Sequence, residues 1–319
     1  MTDCFVGIDT SNYTTSAALC TADGRVIANI KAPLPVKEGE CGLRQSDAVF
    51  AHVKNLPDVM AQLREALAEK RVLAVGCSVR PRDAEGSYMP CFLVGKAAAE
   101  AMAAPLGVPV IDFSHQNGHI MAAAYSCGAM DRLLTTDFAA FHVSGGTTEV
   151  LHIKPQALGF SVTLVGETKD LNAGQAIDRI GVMMGLKFPC GKELEALAAQ
   201  NTRMIPKPRI CVQNGCCNLS GLQNLAEKLL RETEDRAAVA AYVLSFLGET
   251  LRAMTVQLDE KYPCLPVVYA GGVMSNRYLQ GVLSQRTDTY FAEPLFSADN
   301  AAGIALLCRQ RYLIDQYNQ

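Results

Sequence analysis

Three short apolar runs in close succession, met twice along the chain, constrain its fold more than any other feature. The first set is CFVGID (4–9), TSAALC (15–20) and RVIANI (25–30). A polar turn, TSNYT, separates the first two runs, and Asp23–Gly24 precedes the third. An Asp-Gly pair between apolar runs is a hairpin signal, so the set reads as a β-meander. Beyond it, Val49, Val53, Leu56, Val59, Met60, Leu63 and Leu67 keep helical spacing and predict a helix over 47–69. VLAVGCSV (72–79) and VPVIDF (108–113) read as buried strands around an alanine-rich helix over 92–107, and a further helix follows at about 115–128. Near 135 the pattern restarts. FAAFHVSGG, TTEVLHIK and FSVTLVGET form a second meander, followed by helices over 173–185, 190–200, 219–232 and 235–262. PVVYAGGV is a strand into a glycine turn, and NAAGIALLCRQRYLI is a last helix.

The layout β-β-β-α-β-α-β therefore appears once and its core begins again, which points to an α/β chain of two halves with a ligand cleft between them. We place one half at 1–134, completed by the helix over 300–319, and the other at 135–299, although no low-complexity linker marks the boundary. A length of 319 residues supports two cores. Charged residues make up 19% and the net charge is −3, so no global basic field advertises nucleic acid, and any RNA contact needs a local patch or a partner. No run of about 18 apolar residues is evident, so no membrane span is expected. The start MTDCFVGID lacks a signal-peptide pattern. The 12 cysteines contain no C-x-x-C pair and read mostly as buried thiols in a reducing cytoplasm.

Several residues carry chemistry. Ser144-Gly145-Gly146-Thr147 and Gly271-Gly272 are glycine turns, each read as a strand end in its own half of the cleft, the second before a helix starting near Ser275-Asn276. Adjacent glycines permit positive φ and let N–H groups approach a phosphate; tight structural turns are the other reading. His115 and His119 lie four apart, which puts both imidazoles on one helix face about 6 Å apart at Cβ, a spacing used for divalent metals; a packing or capping pair is the alternative. Asp299 is the carboxylate put forward to complete the set, and Asp9 is an acid that either faces phosphate or the metal's water, or bonds local backbone. In DLNAGQAIDR (170–179), Asp170 reads as a helix N-terminal acid, with Gly174 and Asp178 on one face. Either they cap and solvate the helix, or Gly174 admits a ribose whose hydroxyls Asp178 accepts.

Ten stretches, in order, resemble one family: GIDTS, CGLRQSDAVFAHVKN, FLVGKAAAEAMAAPLGVPVI, HQNGH, VSGGTTEVL, GETKDLNAGQAIDRIGVMMGL, FPCGKELEALA, NLSGL, AGGVMSNRYL and ADNAAGIA. It is the catalytic-subunit family of tRNA threonylcarbamoyladenosine synthase, whose old name is O-sialoglycoprotein endopeptidase. The resemblance implies an actin-like ATPase (actin/sugar kinase/Hsp70) fold of two lobes with a duplicated β-β-β-α-β-α core and a nucleotide cleft. It implies a divalent metal (zinc, iron or manganese) on His115, His119 and Asp299. It implies ATP or an acyl-adenylate over Gly145, Gly146, Asp170, Gly174, Asp178, Gly272 and Asn276, with transfer of threonylcarbamoyl to a tRNA adenosine. It further implies a same-fold partner subunit or homodimer. A proteolytic role is disfavoured, because no His-Glu-x-x-His helix or nucleophile with an adjacent base is present.

The chain departs from the family where transfer would occur. The family's Thr-Ser-Cys-Asp-Glu-Thr turn is Thr10-Ser11-Asn12-Tyr13-Thr14-Thr15 here, so Tyr13 takes the acid's place, and an un-ionised phenol accepts a proton poorly. A glycine-proline-glycine loop is replaced by Arg80-Pro81-Arg82-Asp83-Ala84-Glu85-Gly86, whose arginines either bind an anion or are solvated. Family acids are replaced by Asn172 and Gln175. Tyr13 and Arg80 are accordingly the positions expected to set the chemistry. The resulting expectation is a divergent transferase with an adenine nucleotide and a metal. The alternatives are a carbamoyltransferase with another acceptor, or a degenerate nucleotide-binding partner subunit.

Overall fold

A computed structural model describes residues 1–11, 13–35 and 43–317. Asn12, and Cys41 and Gly42 at the start of one matching stretch, lie outside the described residues. In chain order the elements are β1 (Thr2–Thr10), β2 (Thr14–Thr21), β3 (Val26–Pro33), α1 (Gln45–Ala66), β4 (Lys70–Arg80), α2 (Phe92–Leu106), β5 (Val110–Ser114), α3 (His115–Ser126) and α4 (Met130–Leu133). Then follow β6 (Phe138–Val143), β7 (Thr148–Gln156), β8 (Gly159–Glu167), α5 (Ala173–Met183), α6 (Gly191–Ala198), β9 (Val212–Gln213), β10 (Cys216–Cys217), α7 (Gly221–Thr233) and α8 (Arg236–Lys261). β11 (Val267–Ala270), α9 (Arg277–Leu283), β12 (Thr289–Phe291), α10 (Pro294–Ser297) and α11 (Ala302–Tyr317) complete the chain.

The first unit comprises Met1–Gly128, Gln156–Phe160 and Leu295–Gln319. Its sheet runs β3-β2-β1-β4-β5, an antiparallel meander extended by two strands parallel to β1. β1 and β2 are buried at nearly every position because both sheet faces are covered. On one side Val6, Ile8, Leu19 and Val75 pack with Val59, Leu63 and Ala99 of α1 and α2. On the other lies α11, whose Ala305 carbonyl accepts from the Cys20 thiol at 3.3 Å. α11 also crosses α3 at very short range: a Cβ on Gly303 would lie 1.8 Å from the Gly118 carbonyl oxygen.

The second unit comprises Ala129–Pro155 and Ser161–Pro294. Its sheet runs β12-β11-β6-β7-β8, with β6 antiparallel to β7 and parallel to β11. α8 begins where Asp235 caps the Ala237 and Ala238 amides at 2.9 and 3.1 Å. By length and composition α8 could cross a membrane, contrary to the expectation of no apolar run of that length. Yet 67% of its apolar window is buried, with Val243, Leu247, Leu251 and Met254 in the core, so it serves as the core helix of this unit.

The division differs from the sequence expectation at three places. It falls at Gly128 rather than 134, the strand-connecting residues 156–160 go with the first unit, and that unit resumes at Leu295 rather than 300. Asp299, assigned from sequence to the second half, therefore belongs to the first. Phe296 packs edge-on against Tyr125 of α3 at 5.4 Å, which draws α10 to that side. β9, β10 and β12 were not foreseen, since two or three residues are too few to display alternation. Eleven described cysteines are free thiols, and burial pushes those of Cys20 and Cys77 up to about 12, which leaves them to packing rather than chemistry.

Candidate metal centre and glycine turns

The first unit gathers a ligand set at the start of α3. Ser114, the last residue of β5, caps the helix by accepting from the Asn117 amide at 3.3 Å, so His115 opens the first turn. His119 lies one turn on, and the two Nε2 atoms are 2.9 Å apart. Asp299, just ahead of α11, brings Oδ1 to 3.1 Å from His119 Nε2 and 3.7 Å from His115 Nε2. Ligand atoms of all three lie within 4.8 Å of one another. With metal–ligand bonds of about 2.1 Å, cis ligands sit about 3 Å apart in an octahedron and about 3.4 Å apart in a tetrahedron. The separations of 2.9 and 3.1 Å match and that of 3.7 Å is somewhat wider, and two imidazoles with one carboxylate suit zinc, iron or manganese. The three side chains are 20%, 20% and 23% exposed, which leaves an approach for further ligands.

Asp9 stands behind this set. Fully buried at the end of β1, it accepts from His115 Nδ1 at 2.8 Å with one oxygen and from the Ser78 hydroxyl with the other. That fixes the ring and directs Nε2 toward the metal position, the usual arrangement for a ligating histidine. Expected to face phosphate or the metal's water, Asp9 instead has both carboxylate oxygens engaged within the protein. Burial alone would disfavour a charged His115, but Asp9 and Asp299 outweigh it and raise its pKa to about 9. Burial likewise disfavours a charged Asp299, but His119, His115 and Ser11 hold it well below the usual carboxylate range. Ser11 donates to Asp299 Oδ2 at 3.2 Å. The backbone of Ser11 is held in turn by the buried His52, bonded to Ser11 O and to Thr15 Oγ1, each at 2.8 Å.

Both glycine turns lie in the second unit, as the 135–299 division implies, so the reading of one turn in each half of the cleft does not hold. They follow the neighbouring parallel strands β6 and β11, paired as far as His142 and Ala270. Gly271 has φ of +102°, and a Cβ there would lie 2.2 Å from the Val143 carbonyl, so only glycine fits. Gly145 and Gly146 do not adopt positive φ; they are exposed, with open space on the side a Cβ would take. The Ser144 hydroxyl accepts from the Gly146 and Thr147 amides at 3.2 and 3.1 Å, so those donors are already partnered. Gly272 opens a 3-10 turn (Gly272–Ser275). Asn276 caps α9 by accepting from the Leu279 amide at 3.1 Å.

The 170–179 segment differs from the sequence expectation. Asp170 is not the helix cap: Asn172 and Gln175 form a capping box, with the Asn172 amide donating to Gln175 Oε1 at 3.4 Å. Asp170 instead clamps the 218–220 turn, accepting from Leu219 N at 2.8 Å and from Ser220 Oγ at 2.6 Å. These bonds outweigh its burial and hold its carboxyl well below the usual range. Gly174 has no face open to a ribose. A Cβ there would lie 2.7 Å from Gly145 Cα, so the residue is small to let α5 meet the 144–147 turn. Asp178 accepts from Cys190 N at 2.8 Å, which ties α5 to the start of α6.

Tyr13 is 45% exposed, and its carbonyl accepts from Leu34 N at 2.8 Å. Arg80 is paired with Asp83, Nε to Oδ1 at 2.8 Å and Nη2 to Oδ1 at 2.6 Å, so its charge is already partnered. Ser11, Ser78, His52 and Asp83 escaped the sequence reading. Each acts through partners 31 to 288 residues away in sequence, and no local spacing reveals such bonds.

The family model described as tRNA N6-adenosine threonylcarbamoyltransferase matches residues 34–306. The chain is 29% identical over 318 residues to the Streptococcus suis tRNA N6-adenosine threonylcarbamoyltransferase, covering 96% of this chain and 92% of that protein. It is 30% identical over 316 residues to the Streptococcus pneumoniae protein of that name, covering 94% and 90%. Among solved structures, T. kodakarensis HypF matches with a TM-score of 0.60 and 13% identity over 98% of this chain and 48% of that one. A ROK family glucokinase from Streptomyces griseus, in complex with glucose and AMPPNP, matches with a TM-score of 0.54 and 14% identity over 96% and 99%. At such identities the structures establish the fold alone, an α/β fold of the actin/Hsp70/sugar-kinase class. With the family model spanning most of the sequence and relatives aligned almost end to end, the chain belongs to the tRNA N6-adenosine threonylcarbamoyltransferase family, as a divergent member.

Proposed function

We propose that this protein is a metal-dependent acyltransferase that takes a threonylcarbamoyl group from its adenylate and passes it to an adenosine amine of tRNA. The observation that carries this reading is the convergence of His115, His119 and Asp299, with Asp9 fixing His115, inside a chain of this family. A divalent cation on those three ligands supplies a Lewis acid for a phosphate or carbonyl oxygen. Asp9 keeps the His115 proton on Nδ1 and leaves Nε2 as donor, and Ser11 orients Asp299 through the oxygen that faces away from His119. The adenylate lies over the turns after β6 and β11, since ligands in open α/β sheets gather at the carboxyl ends of strands. In the transfer the exocyclic amine attacks the carbamoyl carbon, the new C–N bond forms, the C–O bond to phosphate breaks, and AMP and a proton leave. We place the protein in the cytoplasm, with tRNA held through a local patch or a same-fold partner subunit.

The test is direct. Purified protein should carry or take up a divalent metal, bind ATP or threonylcarbamoyl-adenylate, and form modified adenosine on tRNA. Absence of both metal and nucleotide binding overturns the reading. Metal and adenylate binding without tRNA modification would favour a carbamoyl-type transfer to another acceptor. The exposed Tyr13 and the Arg80–Asp83 loop, where the family has an acid and glycines, motivate that second reading. Binding of nucleotide with no transfer to any acceptor would favour a degenerate partner subunit.

A further inference from the structure

We infer that Asp83 is a positioning residue for the metal centre, so that the divergent 80–87 loop acts as a brace for the ligand helix rather than as an anion-binding loop. The inference rests on the metal reading above. Asp83 Oδ2 accepts from the Ser114 hydroxyl at 2.7 Å and from the Asn117 side-chain amide. Those two residues flank His115, the first ligand: Ser114 is the helix cap and Asn117 the donor it caps. The Asn117 side chain also donates to Ser114 Oγ at 3.0 Å and accepts from Phe160 N at 2.8 Å, so every polar atom of its amide is engaged. The loop backbone makes the same attachment, with Gln116 N donating to the Pro81 carbonyl at 3.0 Å. Arg80 holds the other carboxylate oxygen of Asp83 and fixes its orientation. The first turn of α3 is thus tied to the loop at residues 114, 116 and 117. The ligand at 115 is set by the backbone between them, while Asp9 sets only the ring. Ligand atoms must sit within about 0.2 Å of ideal distances, so a slack first turn weakens the site.

The experiment compares cobalt(II) binding to metal-stripped full-length protein, by visible absorption and competition with a chelator, for wild type, Asp83→Asn and Glu85→Gln. Glu85 is an exposed acid on the same loop, and its variant removes the same charge without touching the brace. Asp83→Asn presents an amide donor to Ser114 and Asn117, or to Arg80, whichever way it turns. The expected result is about a tenfold loss of cobalt affinity with an altered d–d band, the lower end of what outer-shell partners of metal ligands contribute. Glu85→Gln should match wild type in both readouts. If Asp83→Asn fails to fold, Ser114→Ala removes one of the two bonds to Asp83 together with the cap on Asn117 N, and should lower cobalt affinity in the same direction. Affinity within twofold of wild type and an unchanged spectrum in the folded variant overturn the inference, as does an equal loss in Glu85→Gln. Wild-type protein that binds no cobalt, zinc or manganese would instead overturn the metal reading itself.

Discussion

Replacing Gly303 by alanine should damage stability and metal binding together. The added Cβ would lie 1.8 Å from Gly118 O, 2.7 Å from Gly118 C and 2.9 Å from Ala122 N. An ordinary carbon–oxygen contact is about 3.3 Å or more, so α11 and α3 must separate by about 1.5 Å. All three obstacles are main-chain atoms of a helix, so no side chain can rotate away. Overpacking of this kind costs about 3 kcal/mol or more, and alanine returns about 1 kcal/mol through helix propensity. The net loss is about 2 kcal/mol, or about 4–8 °C in midpoint for a unit of this size. The same displacement acts on the ligands: Asp299 is four residues before Gly303, and His119 follows Gly118 directly. A shift of about 1.5 Å far exceeds the tolerance of about 0.2 Å in a ligand set, so cobalt or zinc binding should fall by well over tenfold. Gly118→Ala is the control. Its Cβ would meet Ile304 Cδ1 at 2.8 Å, the end of a side chain that can turn, so the loss should stay below about 1 kcal/mol with metal binding retained. Urea unfolding of the metal-free proteins and calorimetric metal titration measure both effects. A Gly303→Ala protein within about 0.5 kcal/mol of wild type, with unchanged metal affinity, would refute the claim that these helices meet backbone to backbone.

Other perturbations probe separate parts of the molecule. Asp9→Asn removes the acceptor behind His115 and should weaken metal binding by about 10–100-fold, read by chelator competition; wild-type affinity would show that His115 needs no orienting partner. His52 is held neutral by burial, its pKa lowered from 6.5 despite the Ser11 carbonyl and Asp9. The unfolded chain therefore binds this proton first, so stability is full above about pH 6.5 and falls as pH drops below it, by up to about 1.4 kcal/mol per unit. His52→Gln should show a shallower loss between pH 7 and 5 in urea unfolding, and parallel curves would count against the assignment. Asp170→Asn should cost about 1–2 kcal/mol at pH 7, since the amide cannot accept from the 218–220 turn on both sides. That contribution is present above pH 3.8 and is lost as pH falls toward the lowered pKa, so the two proteins should converge in acid. A constant difference down to low pH would assign the effect to packing.

The sequence by itself determined what is local. Apolar spacing marked the two meanders and the long helices α1, α2 and α8 to within a few residues, because side-chain periodicity follows from backbone geometry alone. The four-residue step from His115 to His119 guaranteed that both rings share a helix face. Tertiary structure decided what those groups meet. β11 enters the second sheet beside β6, which sets the two glycine turns on neighbouring strands, and strand pairing across more than a hundred residues leaves no trace in either run. Asp9 turned out to orient a ligand, and Gly174 to admit a backbone rather than a ribose. Arg80 answers to Asp83, and Asp83 to the cap of α3. Hydrogen-bond partners of a buried polar group are chosen by where the folded chain brings donors and acceptors within about 3 Å, and no residue spacing encodes that distance.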